Sequence, residues 1–107
     1  MAEWVEYATK PNGDILFFDS ARLEKNEDGI KVWTRVLYKT SVMGASSYQS
    51  LLNIECTSRY QTVLQNTFYS DKDWTTPAMA TNTKAKPRKS IKENSTTDKL
   101  ANILCKE

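Results

Sequence analysis

Apolar and polar residues alternate along the first three quarters of the chain, in short runs separated by clusters of Asn, Gly, Asp and Ser. A period of two is typical of strands, whose successive side chains point to opposite faces of a sheet. Because every run follows its neighbour through a short turn, the pattern predicts a locally connected antiparallel sheet. Its six predicted strands are residues 4–9, 15–19, 30–39, 48–56, 60–69 and, as an edge strand, 74–81.

The run at residues 30–39 has the clearest alternation. Ile30 and Val32 fall on one face and Trp33 and Leu37 on the other, so both faces carry large apolar groups. Such a strand is expected at the centre of the sheet, with one face in the core and the other partly covered. The turn before it ends in Gly29, which is free to adopt a positive φ, and residues 43–47 are predicted to form the loop after it.

The strand predicted at residues 60–69 is expected to place Tyr60, Leu64 and Phe68 on one face and Gln61 and Val63 on the other.

The last quarter of the chain changes character twice. Residues 82–94 contain five cations within nine positions, together with Pro87, and are predicted to be a basic loop. A helix is then predicted over residues 96–104, with Ser95 or Thr96 as its cap and Asp98 in its first turn. The helix is too short to be stable alone, so it must dock its apolar stripe onto the sheet. That stripe comprises Leu100, Ile103 and Leu104.

Two cysteines and no histidine are the most informative part of the composition. Cys56 and Cys105 are 49 positions apart and lack the close pairs that zinc sites and thiol relays use, so we predict one structural disulfide. The bond would tie the end of the helix to the end of the strand that carries Cys56. In the chain-entropy model such a loop stabilises the fold by about 4 kcal/mol. Without histidine, the commonest general base and metal ligand is missing, and we expect neither an enzyme nor a bound cofactor or metal.

Length and charge narrow the classes further. The 107 residues are enough for a single α+β domain, mostly β, with one helix on its sheet. A net charge of +2 does not indicate nucleic-acid binding, and no apolar run is long enough to span a membrane. A structural disulfide implies an oxidising compartment. We therefore expect an exported protein in which Met1-Ala2 replaces a removed signal peptide, so that any membrane attachment would come from a leader or lipid anchor.

Several residues occur in a distinctive order along nearly the whole chain: Trp4, Asn12-Gly13-Asp14, Phe18-Asp19, Leu23, Gly29, Val32-Trp33, Tyr48, Ile54-Glu55-Cys56, Arg59-Tyr60, Pro87, Ser90-Ile91 and Cys105. In this order the chain resembles the surface-adhesin protein E family of small bacterial envelope proteins. The most specific parts are Val32-Trp33, Glu55-Cys56 with Arg59 three residues later, and the last cysteine after a short helix.

The resemblance implies a secreted or lipid-anchored domain, periplasmic or associated with the outer membrane, in which a sheet of about six strands is tied to a C-terminal helix by Cys56 and Cys105. It also implies adhesion to host proteins. Two features depart from the family: Arg22 stands where a serine is usual, and the segment 86–90 replaces a more proline-rich approach to the helix. Binding specificity that resides in these loops is therefore not transferable.

Two groups of residues are candidates for ligand contact. Trp74 is expected at a turn next to an edge strand, partly exposed, where an aromatic ring suits an interface. The cations Lys84, Lys86, Arg88 and Lys89 either attract a polyanion such as heparin or form a solvated loop. No aromatic residues interleave them as stacking platforms would require. The turn acids at positions 27, 28, 71 and 73 are expected to be solvated.

The function predicted from these features is a non-enzymatic binding module of the cell envelope, adhesin-like, with host extracellular or envelope proteins as partners. An alternative is a structural component that contacts other envelope proteins, for which the edge strand 74–81 could pair with a partner strand or with a second copy in a weak homodimer. An intracellular nucleic-acid binder with reduced thiols is a further alternative.

Overall fold

The computed structural model of the chain describes residues 2–105. It consists of one antiparallel sheet of eight strands and one helix. Four predicted elements, including the helix, have the bounds expected from the sequence. The elements are β1 (Trp4–Thr9), β2 (Ile15–Asp19), β3 (Glu24–Asn26), β4 (Gly29–Val42), β5 (Ala45–Glu55), β6 (Tyr60–Tyr69), β7 (Ala80–Asn82), β8 (Lys89–Ser90) and α1 (Thr96–Leu104).

The strands follow the order β1-β2-β4-β5-β6-β7, and β3 and β8 extend the sheet beside β4 and β6. The long strands β4 and β5 are central, as predicted from the apolar groups on both faces of β4. They are joined by a two-residue turn at Met43 and Gly44, which both have positive φ, rather than by the predicted loop over 43–47. Gly29 has the positive φ expected of it, and a Cβ there would lie 2.3 Å from the carbonyl oxygen of Ile54.

Helix α1 covers one face of the sheet, here called the helix face. The core on this face is a cluster of buried residues from β2, β4, β5 and α1: Phe18, Ile30, Val32, Leu52, Ile54, Leu100, Ala101 and Leu104. Cys56 and Cys105 form the predicted disulfide, with their Cα atoms 5.7 Å apart. At the other end of the helix Ser95 is the cap, since its hydroxyl accepts from the Asp98 N–H at 3.1 Å. The helix is thus held at both ends.

Two predicted side-chain directions are wrong. Ile103, which was expected in the core, is 44% exposed, and Ala101 is buried there instead. A register shift between Leu51 and Leu52 leaves Leu64 as an extra residue in β6, so that Val63, and not Leu64, packs against the core. Such a bulge reverses the alternation that follows it.

The predicted edge strand at 74–81 is confined to β7. Trp74 has a positive φ of 55°, which an extended strand does not allow, and the residues before β7 form a loop. The segment 82–94 is not entirely loop: it includes β8, and the Lys86 N–H donates to the Val63 carbonyl at 2.9 Å. The basic segment is therefore an interrupted edge strand beside β6.

Candidate binding surface

The face of the sheet opposite α1, here called the open face, carries a stack of three large side chains. The Arg35 guanidinium lies over the Trp4 ring at 4.2 Å from its centroid and over the Trp74 ring at 4.7 Å. Phe17 meets Trp74 edge to face, with ring centroids 6.1 Å apart. These groups come from β1, β2, β4 and the loop after β6. We call Trp4, Arg35 and Trp74 the arginine stack.

The register of the sheet accounts for the position of Arg35 in this stack. Arg35 pairs with Phe17 on β2 and with Gln49 on β5, so the three side chains share a face. Its neighbour Thr34 points to the opposite face, where its hydroxyl lies 2.6 Å from that of Ser50. The alternation seen in the sequence therefore places Arg35 on the open face.

Arg35 is half-buried but uses little of its hydrogen-bonding capacity on protein. Its Nε donates to Gln49 Oε1 at 2.8 Å, and within residues 2–105 no carboxylate lies at ion-pair distance from it. Burial lowers the pKa of Arg35, and the charge of Arg22 acts in the same direction, whereas Tyr69 and Asp19 act against it. The cation is thus desolvated without a carboxylate partner.

Hydrogen bonds within the loop after β6 place Trp74 over the sheet. Its indole N–H donates to the Tyr48 carbonyl at 3.0 Å. The Asp71 carboxylate accepts from the hydroxyl groups of Thr75, at 2.6 Å, and Thr76, at 2.9 Å, and from their backbone N–H groups. These bonds lower the pKa of Asp71, against the effect of desolvation. Asp71 is therefore not the solvated turn acid predicted from the sequence but the residue that closes this loop.

Asp19 fixes the other side of the stack. Its buried carboxylate accepts from the Glu3 N–H at 2.8 Å, next to Trp4, and from the Ala21 N–H at 3.0 Å. It also pairs with the Arg22 guanidinium. Burial would raise the pKa of Asp19, but the hydrogen bonds from Glu3, Arg22 and Ala21 together lower it. Arg22, where the resemblance led us to expect serine, is thus part of the support for β1.

Trp74 is the one predicted contact residue that joins the arginine stack. The cations lie elsewhere. Lys84 and Lys86 are exposed beside β6, and Lys89 of β8 pairs with Gln61 of β6. Arg88 donates to both carboxylate oxygens of Glu55 at 2.8 Å and lies over the Tyr60 ring at 3.7 Å. The hydrogen bonds from Arg88 and Ser58 lower the pKa of Glu55. One of the four cations is therefore paired within the protein.

The sequence prediction missed Trp4, Phe17 and Arg35 as members of a common surface. The only signal was the presence of Trp33, Arg35 and Leu37 on the outer face of a central strand. Joining them to Trp4 requires the strand order β1-β2-β4, which periodicity does not give.

A second concave surface lies at the end of the sheet where the β3–β4 and β5–β6 turns meet. It is a groove of about 650 Å³ between residues 25–30 and 53–58. At its floor the Asn53 amide donates to the Asp28 carbonyl at 3.1 Å, and the Asn53 side-chain oxygen is buried without a partner among the described residues. In that part of the chain no group of three or more metal-ligating side chains occurs, and no helix is long and apolar enough to cross a membrane.

A family model described as surface-adhesin protein E matches residues 4–106, nearly the whole chain. No curated protein and no solved structure matches significantly.

Proposed function

Since this chain belongs to the surface-adhesin protein E family, we propose that it is an exported, non-enzymatic binding domain that docks to host or envelope proteins and glycoproteins through its open face. The arginine stack carries the proposal. It gathers two tryptophans and an arginine, the residue types most enriched at binding hot spots, on the face that α1 leaves uncovered.

The stack is also organised before any ligand arrives. Trp74 is held by its bond to the Tyr48 carbonyl and by the loop that Asp71 closes. The backbone next to Trp4 is fixed by the bond from the Glu3 N–H to the Asp19 carboxylate. Rings fixed in this way lose little conformational entropy on binding, which favours affinity.

Export is proposed from the disulfide together with the family. A bond between Cys56 and Cys105 forms and persists in the periplasm or outside the cell. A non-enzymatic role is proposed because the chain has no histidine, and because its lowered carboxylate pKa values have structural causes at Asp19, Glu55, Asp71 and Asp98.

The cations of the basic segment, the alternative site for a polyanion, also have a structural role. Lys84, Lys86, Lys89 and Pro87 lie along the interrupted edge strand beside β6, where lysine and proline discourage pairing with another chain. The opposite edge, β1, is interrupted by a register shift between Glu6 and Ala8. These features support neither edge-strand assembly nor a homodimer, both of which stay predictions.

The test measures binding of fluorescently labelled domain to epithelial cell layers. Trp74→Ala is expected to weaken binding about tenfold or more, as loss of a hot-spot ring does. The matched control, Lys84→Ser with Lys86→Ser, should bind as the unchanged domain does. Thermal unfolding of every variant checks the fold.

Two outcomes would overturn the proposal. One is binding that survives both Trp74→Ala and Trp4→Ala, and the other is binding lost only with the lysine pair, which would assign docking to the basic segment.

A further inference from the structure

We infer that the open face binds an acidic sugar, whose carboxylate pairs with the Arg35 guanidinium. The inference rests on the proposed function, because it names the ligand class for the same face. It starts from a contrast between two arginines on that face. Arg88 and Arg35 both lie over aromatic rings, but Arg88 is neutralised by both oxygens of Glu55, and Arg35 has no carboxylate partner within residues 2–105.

The hydrogen-bonding geometry of Arg35 favours a carboxylate. A guanidinium carries five N–H donors, and only Nε is bound to a protein group, Gln49 Oε1. The N–H groups on its two terminal nitrogens donate to no group in the described part of the chain. A planar cation with free donors matches the two oxygens of a carboxylate, and this one lies over the rings of Trp4 and Trp74.

The charges around Arg35 favour a ligand with a single acidic group. Asp19 is already bound by Arg22 and two backbone N–H groups, so it does not neutralise Arg35. The cross-strand row of Arg35 runs from Glu6 and Phe17 on one side to Gln49 and Thr67 on the other. Arg35 is the only cation in this row, and Glu6, two strands away, is not at ion-pair distance from it. A phosphate polymer or a highly sulfated chain would need several cations in succession. One carboxylate on a largely neutral molecule fits this row better.

The neighbours of Arg35 favour a sugar as that molecule. Its own row offers the amide of Gln49 and the hydroxyl of Thr67, and the row of Trp33 and Leu51 offers the amide of Gln65. These are uncharged groups that bond sugar hydroxyls. Trp33 and Leu51, in the row of Gln65, add flat apolar surface for the C–H face of a sugar ring. Sialic and uronic acids combine one carboxylate with such a ring and several hydroxyls.

The experiment titrates the intact, oxidised domain with 3′-sialyllactose and with methyl glucuronide, and follows tryptophan fluorescence and calorimetric heat. Each acid is compared with its own methyl ester, which keeps the sugar and removes the charge. We expect at least one acid to bind and its ester to bind about tenfold more weakly or worse. Because the ligand is altered and the protein is not, this comparison does not depend on how a variant folds.

Arg35→Lys is expected to reduce the affinity about tenfold or more, because lysine keeps the charge but loses the planar pair of donors. The matched control is Arg88→Lys, an arginine over a ring that already has its carboxylate, and it should leave the affinity unchanged. Equal binding of acid and ester, loss of binding with Arg88→Lys alone, or no binding of either acid would overturn the inference. A triglutamate peptide that binds as tightly as both sugars would also overturn it, in favour of an acidic peptide.

The outcomes for the two proposals are distinguishable. Trp74-dependent binding to cells with no response to either acid sugar overturns the sugar assignment and leaves the docking face standing. The proposed function is overturned instead if Arg35→Lys abolishes sugar binding but cell binding is unchanged by Trp74→Ala and Trp4→Ala.

Discussion

Different interactions stabilise the two faces of the sheet. On the helix face, apolar residues of α1 are buried against β4 and β5, and a covalent bond and an N-terminal cap fix the helix at its two ends. On the open face, a cation lies over two indole rings. The Trp74 indole donates to the Tyr48 carbonyl, and the segments that carry the rings are fixed by hydrogen bonds to Asp19 and Asp71. One face is closed by burial, and the other is organised by polar bonds.

The two faces should therefore contribute differently to stability and to ligand binding. Burial of apolar area is the main source of folding free energy, whereas exposed charge and hydrogen-bond contacts contribute less each. Changes on the helix face should therefore cost more stability than changes on the open face. The reverse should hold for ligand binding.

The largest expected effect is loss of the disulfide. Replacing Cys56→Ser and Cys105→Ser together is expected to lower the free energy of unfolding by about 4 kcal/mol, because the unfolded chain regains the entropy of a loop closed over 49 positions. Urea unfolding measures it. Hydrogen exchange should show faster opening of α1 than of β4 and β5. A loss below about 1 kcal/mol would contradict the view that the bond holds the helix on the sheet.

The second effect separates the two sides of the helix. Leu100 is fully buried, so Leu100→Ala is expected to cost about 3 kcal/mol in urea unfolding. Ile103→Ala, on the same helix but at a 44% exposed position, should cost less than about 1 kcal/mol. Equal costs would mean that α1 packs with the stripe predicted from the sequence rather than with the one in the structure.

The buried stripe of α1 shows what helical periodicity can predict and what it leaves open. Leu100, Ile103 and Leu104 satisfy helical spacing, and so do Leu100, Ala101 and Leu104. The disulfide favours the second set, because Cys105 follows Ala101 by four residues and draws that side of the helix toward Cys56. The bounds of α1 were predictable from its cap and its apolar run. Its exact orientation depended on a contact 49 positions away along the chain.

The open face was harder to predict for two reasons. Residues 74–81 have the aromatic and apolar content of a strand, but Asp71 captures Thr75 and Thr76 and folds the chain over the sheet. Trp4 and Arg35 meet only because β2 lies between their strands. Strand order of this kind is a non-local property, and alternation within each strand leaves it open.

The smallest effect on stability is expected from Asp19, which supports the open face. Asp19→Asn keeps an oxygen for the Glu3 and Ala21 N–H groups but loses the charge that Arg22 pairs with, and should cost about 1 to 2 kcal/mol at pH 7. Despite burial, the hydrogen bonds from Glu3, Arg22 and Ala21 lower the pKa of Asp19 in the folded protein. Its contribution is therefore complete above the unfolded pKa of about 3.9 and is lost as the pH falls through the lower folded value.

The difference in unfolding free energy between Asp19→Asn and the unchanged domain should accordingly shrink as the pH falls below about 4. Other paired carboxylates, including Asp98, lose their stabilising charge in the same range, but they do so in both proteins, and the difference isolates Asp19. The exposed Asp28 provides the control, since Asp28→Asn should change stability little at either pH. If Asp19→Asn costs as much as Leu100→Ala, the open face is as important for folding as the helix face. A stabilising role would then account for the arginine stack without any ligand.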